Sequence, residues 1–230
     1  TAIEISPDYT MSESEQAQIQ EQIDQEADRM LADAPVDGSD FDKALYVYET
    51  LIREVDYVEN SENNQNIISV FLNHETICQG YAYATQYLLE RLGIPCTTVT
   101  GTARGENHAW NMVRMDGEYY YIDTTWGNSQ YTYQDNVDGG YSKFLDYDYF
   151  GTTTDSLLVT HTPDPQIPLP ECTATKDNYF IHQGLYVDTW DVDRIGEIIG
   201  AAYRDGKDSV QIKFSNVELW EQAIQYFVED

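Results

Sequence analysis

The chain has 230 residues, enough for one sizeable hydrophobic core plus a small appended module. Aspartate and glutamate outnumber lysine and arginine by 41 to 12, and the resulting formal charge of -29 is spread along the whole length. That balance excludes a phosphate-binding face for nucleic acid and electrostatic docking on anionic lipid, and it reads as a solvated surface.

No apolar run approaches the roughly 20 residues needed to span a bilayer, so no membrane insertion is expected. The sequence opens on an acidic stretch without methionine, as expected of an exported protein whose signal peptide has been removed. Three cysteines, Cys78, Cys96 and Cys172, are too few and too irregularly spaced for a disulfide framework or a paired Cys-x-x-Cys metal site. At least one thiol stays unpaired within a monomer, and no metal or organic cofactor is expected.

Ser12 and Glu15 make a capping box ahead of Ile19, Ile23, Ala27, Met30 and Leu31, which predicts a first helix ending near Ala34 and Pro35. After Asp37-Gly38-Ser39, the spacing of Phe41, Ala44, Leu45, Tyr48, Leu51, Ile52 and Val55 predicts a second, capped by Ser39 or Asp40. The polar stretch 59–66 reads as a surface loop. A third helix is predicted from Cys78 to Leu92, stopped by Gly93 and Pro95, with Cys78 in or near its first turn. The period then changes to alternation over Cys96 to Thr102, His108 to Met115 and Glu118 to Thr124, so an α+β domain is expected. A short helix is predicted near Asp155 to Leu158.

Four of the seven prolines fall between Thr162 and Glu171, which marks a linker or a pinned crossing loop. Beyond it the pattern reads strand (Tyr179 to His182), helix (Val192 to Tyr203), strand (Ser209 to Phe214), helix (Glu218 to Phe227). The expected organisation is a catalytic domain with N-terminal helices over 1–161, a Pro-rich linker over 162–172 and a small α/β accessory module over 173–230.

The hairpin turn Asp116-Gly117 sets a register in which opposed residues sum to 233. His108 then lies opposite Thr125 and diagonal to Asp123, on the same face and about 7 to 8 Å apart at the backbone, within reach of a histidine–carboxylate hydrogen bond. A carboxylate that fixes an imidazole tautomer is half of a nucleophilic triad, and Cys78 at a helix N-terminus is the fitting nucleophile, because the helix dipole and a nearby imidazolium favour the thiolate. Gly80 leaves room for an approaching substrate, and the Cys78 backbone N–H is a candidate oxyanion donor. Cys96 reads as core and Cys172 as structural or free. His74 reads as a loop residue, His161 in Thr-His-Thr-Pro and His182 as structural, and Trp110 and Trp126 as packing beside the triad that also lines a groove.

The ordered blocks Cys78-Gln79-Gly80-Tyr81-Ala82, Leu92-Gly93-Ile94-Pro95, Gly101-Thr102, His108-Ala109-Trp110-Asn111 and Tyr121-Ile122-Asp123-Thr124-Thr125-Trp126 resemble the transglutaminase-like superfamily, and most of all its extracellular branch in Gram-positive bacteria. The resemblance runs from about Gln65 to Trp126, with looser similarity to His161. It implies a papain/transglutaminase-like core in which a central helix carrying the cysteine packs on an antiparallel sheet. It also implies Cys78 as nucleophile, His108 as general base and acid, Asp123 as orienting group, Gln65 as a second oxyanion donor, and a groove formed by Gln79, Gly80, Tyr81, Trp110 and Trp126. His74-Glu75-Thr76-Ile77 departs from the glycine that relatives often carry before the cysteine, and calcium activation is not implied. The expected function is acyl transfer or hydrolysis on peptide or isopeptide amides at the bacterial cell surface, with a peptide or protein substrate in the setting of the cell wall. The competing function is a non-catalytic surface module whose face, drawn from 19 tyrosines, holds a peptide or glycan.

Overall fold

The structure is a computed structural model that describes residues 11–131, 142–166 and 168–229. In chain order the elements are α1 (Glu13–Met30), α2 (Asp40–Glu54), β1 (Asp56–Tyr57), a π-helical turn (Ser69–Asn73), β2 (Glu75–Thr76), α3 (Cys78–Arg91), β3 (Cys96–Ala103), β4 (Glu106–Met115), β5 (Glu118–Ile122), α4 (Thr124–Gly127), β6 (Asn128–Tyr131), β7 (Ser142–Leu145), β8 (Phe150–Thr152), α5 (Thr154–Leu157) and β9 (His161–Pro163). Then come α6 (Tyr179–His182), β10 (Tyr186–Val187), α7 (Val192–Arg204), β11 (Lys213–Phe214) and α8 (Val217–Ile224). The chain divides into two compact units, Thr1–Thr173 and Ala174–Asp230.

Both N-terminal helices start at reciprocal capping boxes, Ser12 with Glu15 and Ser39 with Asp42. α1 stops at Met30, four residues before Ala34, because the Tyr46 hydroxyl of α2 donates to the Met30 carbonyl at 2.8 Å and satisfies a carbonyl that a helix end leaves unpaired. Burial decides how α2 is held. Phe41, Tyr48, Leu51 and Ile52 have no exposed surface, and full burial of such a side chain stabilises by about 1.5–3 kcal/mol, against about 0–1 kcal/mol for an exposed pair. The Arg53–Glu49 pair on the outer face is of the second kind.

The first unit is α+β. Its five-stranded antiparallel sheet has the order β8-β5-β4-β3-β9, and α3 packs on β3 and β4 with α2 against it. The β4–β5 register is the one set by its turn: Met115 faces Glu118 and Asn111 faces Ile122. Asp116 and Gly117 both have positive φ, 50° and 92°, the geometry of a type I′ turn. The ladder ends at Ile122, so His108 and Thr125 do not pair. Asp123 instead becomes the N-cap of α4.

Residues 162–172 differ from a free linker. β9 pairs with β3, Ala103 opposite His161 and Gly101 opposite Pro163, and the proline is tolerated because β9 is an edge strand. Cys172 is buried with Val99, Trp110, Met112, Tyr121 and Leu157, and its backbone exchanges hydrogen bonds with Thr154. The β9 pairing at one end and buried Cys172 at the other therefore hold this stretch on the first unit.

In the second unit, Tyr179–His182 is a helical turn and not a strand. The Asn178 side chain caps it by accepting from the Ile181 N–H, which settles the helix-or-strand ambiguity of a short apolar run. His182 is accordingly helical. Ser209 to Phe214 contributes only Lys213 and Phe214 to a parallel pairing with Tyr186 and Val187.

Candidate active site

Cys78 is the first residue of α3. The preceding Ile77 is extended and offers no side-chain cap, so no side chain occupies the orphan N–H groups of the first turn. The approach to Cys78 is held by a small polar network. Ser69 Oγ donates to Thr76 Oγ1 at 2.9 Å, Thr76 Oγ1 donates to the Asn64 carbonyl at 2.8 Å, and the Ile77 N–H donates to the same carbonyl at 3.2 Å. Gly80 sits against this network, and a Cβ there would fall 1.8 Å from Thr76 Oγ1. Its role is therefore close packing of helix on loop, in place of clearance for a substrate.

His108 lies on β4 and Asp123 just past the end of β5. Asp123 Oδ1 accepts from the Trp126 N–H at 3.1 Å, and Oδ2 accepts from His108 Nε2 at 2.7 Å. The same Oδ2 accepts from His161 Nε2 at 3.0 Å, while His161 Nδ1 meets Thr160 Oγ1 at 2.8 Å. The side chains of Asp123 and His161 have no exposed surface. Burial works against ionising Asp123, but the hydrogen bonds from His108 and His161 outweigh it and hold the carboxyl below its ordinary value. An ionised carboxylate only accepts, so each Nε2 carries its proton.

Burial also pulls His108 down, and hydrogen bonds to Asp123 and to the Cys78 thiol overturn that effect and push it to about 9. Its imidazolium is thus favoured between the thiol and the carboxylate. The ring is walled by Trp110, stacked at 6.0 Å, and by Trp126 at 5.8 Å. The other two thiols are of a different kind. Burial pushes half-buried Cys96 up to about 12 and buried Cys172 up to about 11, and all three cysteines are free.

Buried hydrogen bonds lock helix to sheet. Asn111 Nδ2 donates to the Ala82 carbonyl of α3 at 2.9 Å, and Thr85 and Thr124 share a hydroxyl bond of 2.9 Å. Tyr81, fully buried, donates to the Val55 carbonyl at 2.6 Å and accepts from Asn128. Its place is in this scaffold.

Two cavities meet at Cys78 and His108. The larger, about 750 Å³, is lined also by Gln65, Gln79, Asn107 and Asp164, and the smaller, about 470 Å³, by Tyr57, Arg104, Glu106, Thr125 and Trp126. Gln65, Gln79 and Trp126 therefore border the thiol. Gly80, Tyr81 and Trp110 line neither cavity. Among the described residues, two clusters have metal-ligand donor sets: His108 with Asp123 and His161, and Glu26 with Glu54 and His74. In the first, the donor atoms are already spent on one another at hydrogen-bond distance.

Sequence reasoning passed over His161 as merely structural. It stands 38 positions beyond Asp123 and reaches it only because β9 returns antiparallel beside β3. Pro163, two residues on, is the one local sign of that edge strand.

A cysteine on a central helix, facing a histidine–carboxylate pair on an antiparallel sheet, defines a fold of the transglutaminase and cysteine-protease class. Residues 28–124, which contain Cys78, His108 and Asp123, match the family model of the transglutaminase-like superfamily. Curated relatives include kyphoscoliosis peptidase of Homo sapiens, 26% identical over 107 residues, and of Mus musculus, 29% identical over 110 residues. The matched part is 41% of this chain and 16% of each relative, so the chain spans only a small part of their length. Among solved structures, a TGase aligns with a TM-score of 0.43 at 17% identity, over 57% of this chain and 37% of that one. A protein described as a candidate cysteine protease from Cytophaga hutchinsonii aligns with a TM-score of 0.40 at 21% identity, over 45% and 38%.

Proposed function

We propose that the chain is a thiol-dependent acyltransferase or hydrolase acting on peptide or isopeptide amides, with Cys78 as nucleophile, His108 as general base and acid and Asp123 as the orienting group. The observation that carries this reading is that Cys78 and His108 line the same two cavities while His108 Nε2 is held by Asp123 Oδ2 at 2.7 Å. His108 takes the thiol proton, and the thiolate attacks the amide carbonyl. The tetrahedral oxyanion faces the Cys78 N–H and Gln65. Collapse expels the amine, which leaves with the proton from His108, and a thioester remains on Cys78. Water or a second amine then attacks the thioester and gives its proton to His108, releasing a carboxylic acid or a new amide. The ionised Asp123 stabilises the imidazolium at each transfer.

The acidic surface and the resemblance to extracellular relatives support a place at the bacterial cell surface, with a peptide or protein substrate. Among the described residues no helix is long and apolar enough to cross a membrane. The test is to incubate the protein with a glutamine- and lysine-containing peptide pool plus a biotinylated amine, and to follow amine incorporation, peptide cleavage and acyl adducts on Cys78 by mass spectrometry. An adduct with either product, lost in Cys78→Ala, is expected. No adduct and no product under any condition rejects the reading.

A further inference from the structure

The smaller cavity beside Cys78 contains a cation that has no acidic partner among the described residues. Arg104 is the one lysine or arginine among the described residues lining either cavity. Its guanidinium carbon lies 5.0 Å from the ring centroid of Trp126, and among the described residues that guanidinium makes no hydrogen bond or ion pair with protein. The other arginines of the first unit behave differently. Arg29, Arg53 and Arg91 each pair with a carboxylate, and Arg114 donates to the Gly117 carbonyl. In a chain with 41 carboxylates and 12 cations, an arginine without an acidic partner among the described residues has donors available for a ligand.

Two features show that Arg104 is held in place. Its backbone N–H donates to the Thr160 carbonyl at 2.8 Å, and it occupies the first position of the tight turn between β3 and β4 at a φ of 49°, followed by Gly105 at 89°. Turns of this kind favour asparagine, aspartate or glycine, so an arginine there carries left-handed strain that a smaller residue would relieve. The stacking platform is equally fixed. The Trp126 ring packs edge-on against Tyr149 at 5.2 Å and tilted against His161 at 4.7 Å, and the Trp126 backbone N–H donates to Asp123 Oδ1 at 3.1 Å.

We propose that Arg104, stacked on Trp126, forms a carboxylate-binding subsite, so that the preferred acyl substrate carries an anionic group next to the carbonyl that Cys78 attacks. A guanidinium over an indole ring can keep N–H donors free for a ligand, and these match the two oxygens of a carboxylate. Glu106 lines the same cavity. It opposes a second negative charge, which limits the subsite to one carboxylate and gives a prediction of opposite sign. This assignment rests on Cys78 being the nucleophile, so the experiment reads the two ideas separately.

The probes are iodoacetate and iodoacetamide, which alkylate the same thiol and differ in one negative charge. The ratio of their rates at Cys78 is measured by peptide mass spectrometry at low ionic strength. It is expected to fall on the order of threefold to tenfold in Arg104→Gln, the scale of one nearby charge seen through partly screened solvent. It should be partly retained in Arg104→Lys, rise in Glu106→Gln and stay unchanged in Arg114→Gln. If Cys78 reacts quickly with iodoacetamide but the ratio is the same in wild type and Arg104→Gln, the subsite is rejected and the nucleophile stands. An equal fall in Arg114→Gln also rejects it, as a general charge effect. Slow reaction with both reagents rejects the nucleophile and the subsite with it. Peptide substrates locate the carboxylate: glutamate or aspartate against glutamine or asparagine in capped peptides, and free against amidated carboxyl termini. An anion preference in either set that vanishes in Arg104→Gln supports the subsite, and no preference in both overturns it.

Discussion

Replacing His161 perturbs the deepest part of the site without touching the thiol. His161→Phe keeps a ring in a position with no exposed surface but removes one of the two N–H donors that Asp123 Oδ2 accepts. A hydrogen bond to a charged group contributes about 1.5–3 kcal/mol, and that is the expected loss. His161→Ala adds the cost of an unfilled ring-sized space, bringing the loss to about 3–5 kcal/mol. The pH dependence follows from the carboxylate. Because the folded Asp123 carboxyl lies below its ordinary value, its contribution is fully present above about 3.9 and is lost as pH falls through the folded value. Without His161 that folded value rises, so the acid-unfolding limb moves to higher pH in both variants. His161→Gln, which retains an N–H donor, should recover part of the shift. Urea midpoints at neutral pH, together with acid titrations followed by circular dichroism, measure both effects. A Phe variant as stable as the wild type, with an unmoved acid limb, would refute the reasoning.

At the alkaline end, His108 has a folded value raised to about 9. Its contribution is therefore complete below about 6.5 and disappears as pH rises through the folded value, so the stability gap between wild type and His108→Gln should narrow over that window in pH-resolved urea unfolding. Gly80→Ala places a Cβ 1.8 Å from Thr76 Oγ1 and should cost about 1–3 kcal/mol or more. Pairing it with Thr76→Ala, which removes the obstructing hydroxyl, should recover part of that loss, and a double-mutant cycle with strictly additive costs would contradict the packing assigned to Gly80.

The parts of this molecule that sequence reading reached are those specified over short distances. The Ser12 and Ser39 caps and the Asp116-Gly117 turn are local chemistry, and the turn alone carried His108 and Asp123 to one face. Even there the ladder ends one residue short of Asp123, because capping α4 satisfies its carboxylate and the Trp126 N–H better than another strand pair would. His161 was out of reach for the opposite reason. Its partner lies just past the end of β5, separated from β9 in the sheet by β4 and β3, and nothing next to His161 in the chain announces that carboxylate. The same holds for Arg104, whose importance depends on the stacking position of Trp126 and not on a motif. Gly80 and Tyr81 show a further limit: a block that contains a nucleophile also contains the residues that pack its helix, and only coordinates separate the two roles.

The most direct test of the central claim is the alkylation rate of each cysteine at about pH 6, far below the ordinary thiol value of about 8.5, in the wild type and in His108→Ala. If the Cys78–His108–Asp123 chain is an assembled nucleophile, Cys78 reacts rapidly and loses that reactivity in the variant, while Cys96 and Cys172, pushed up to about 12 and about 11, stay inert in both. A Cys78 no faster than the other two, or one indifferent to the loss of His108, would contradict the account.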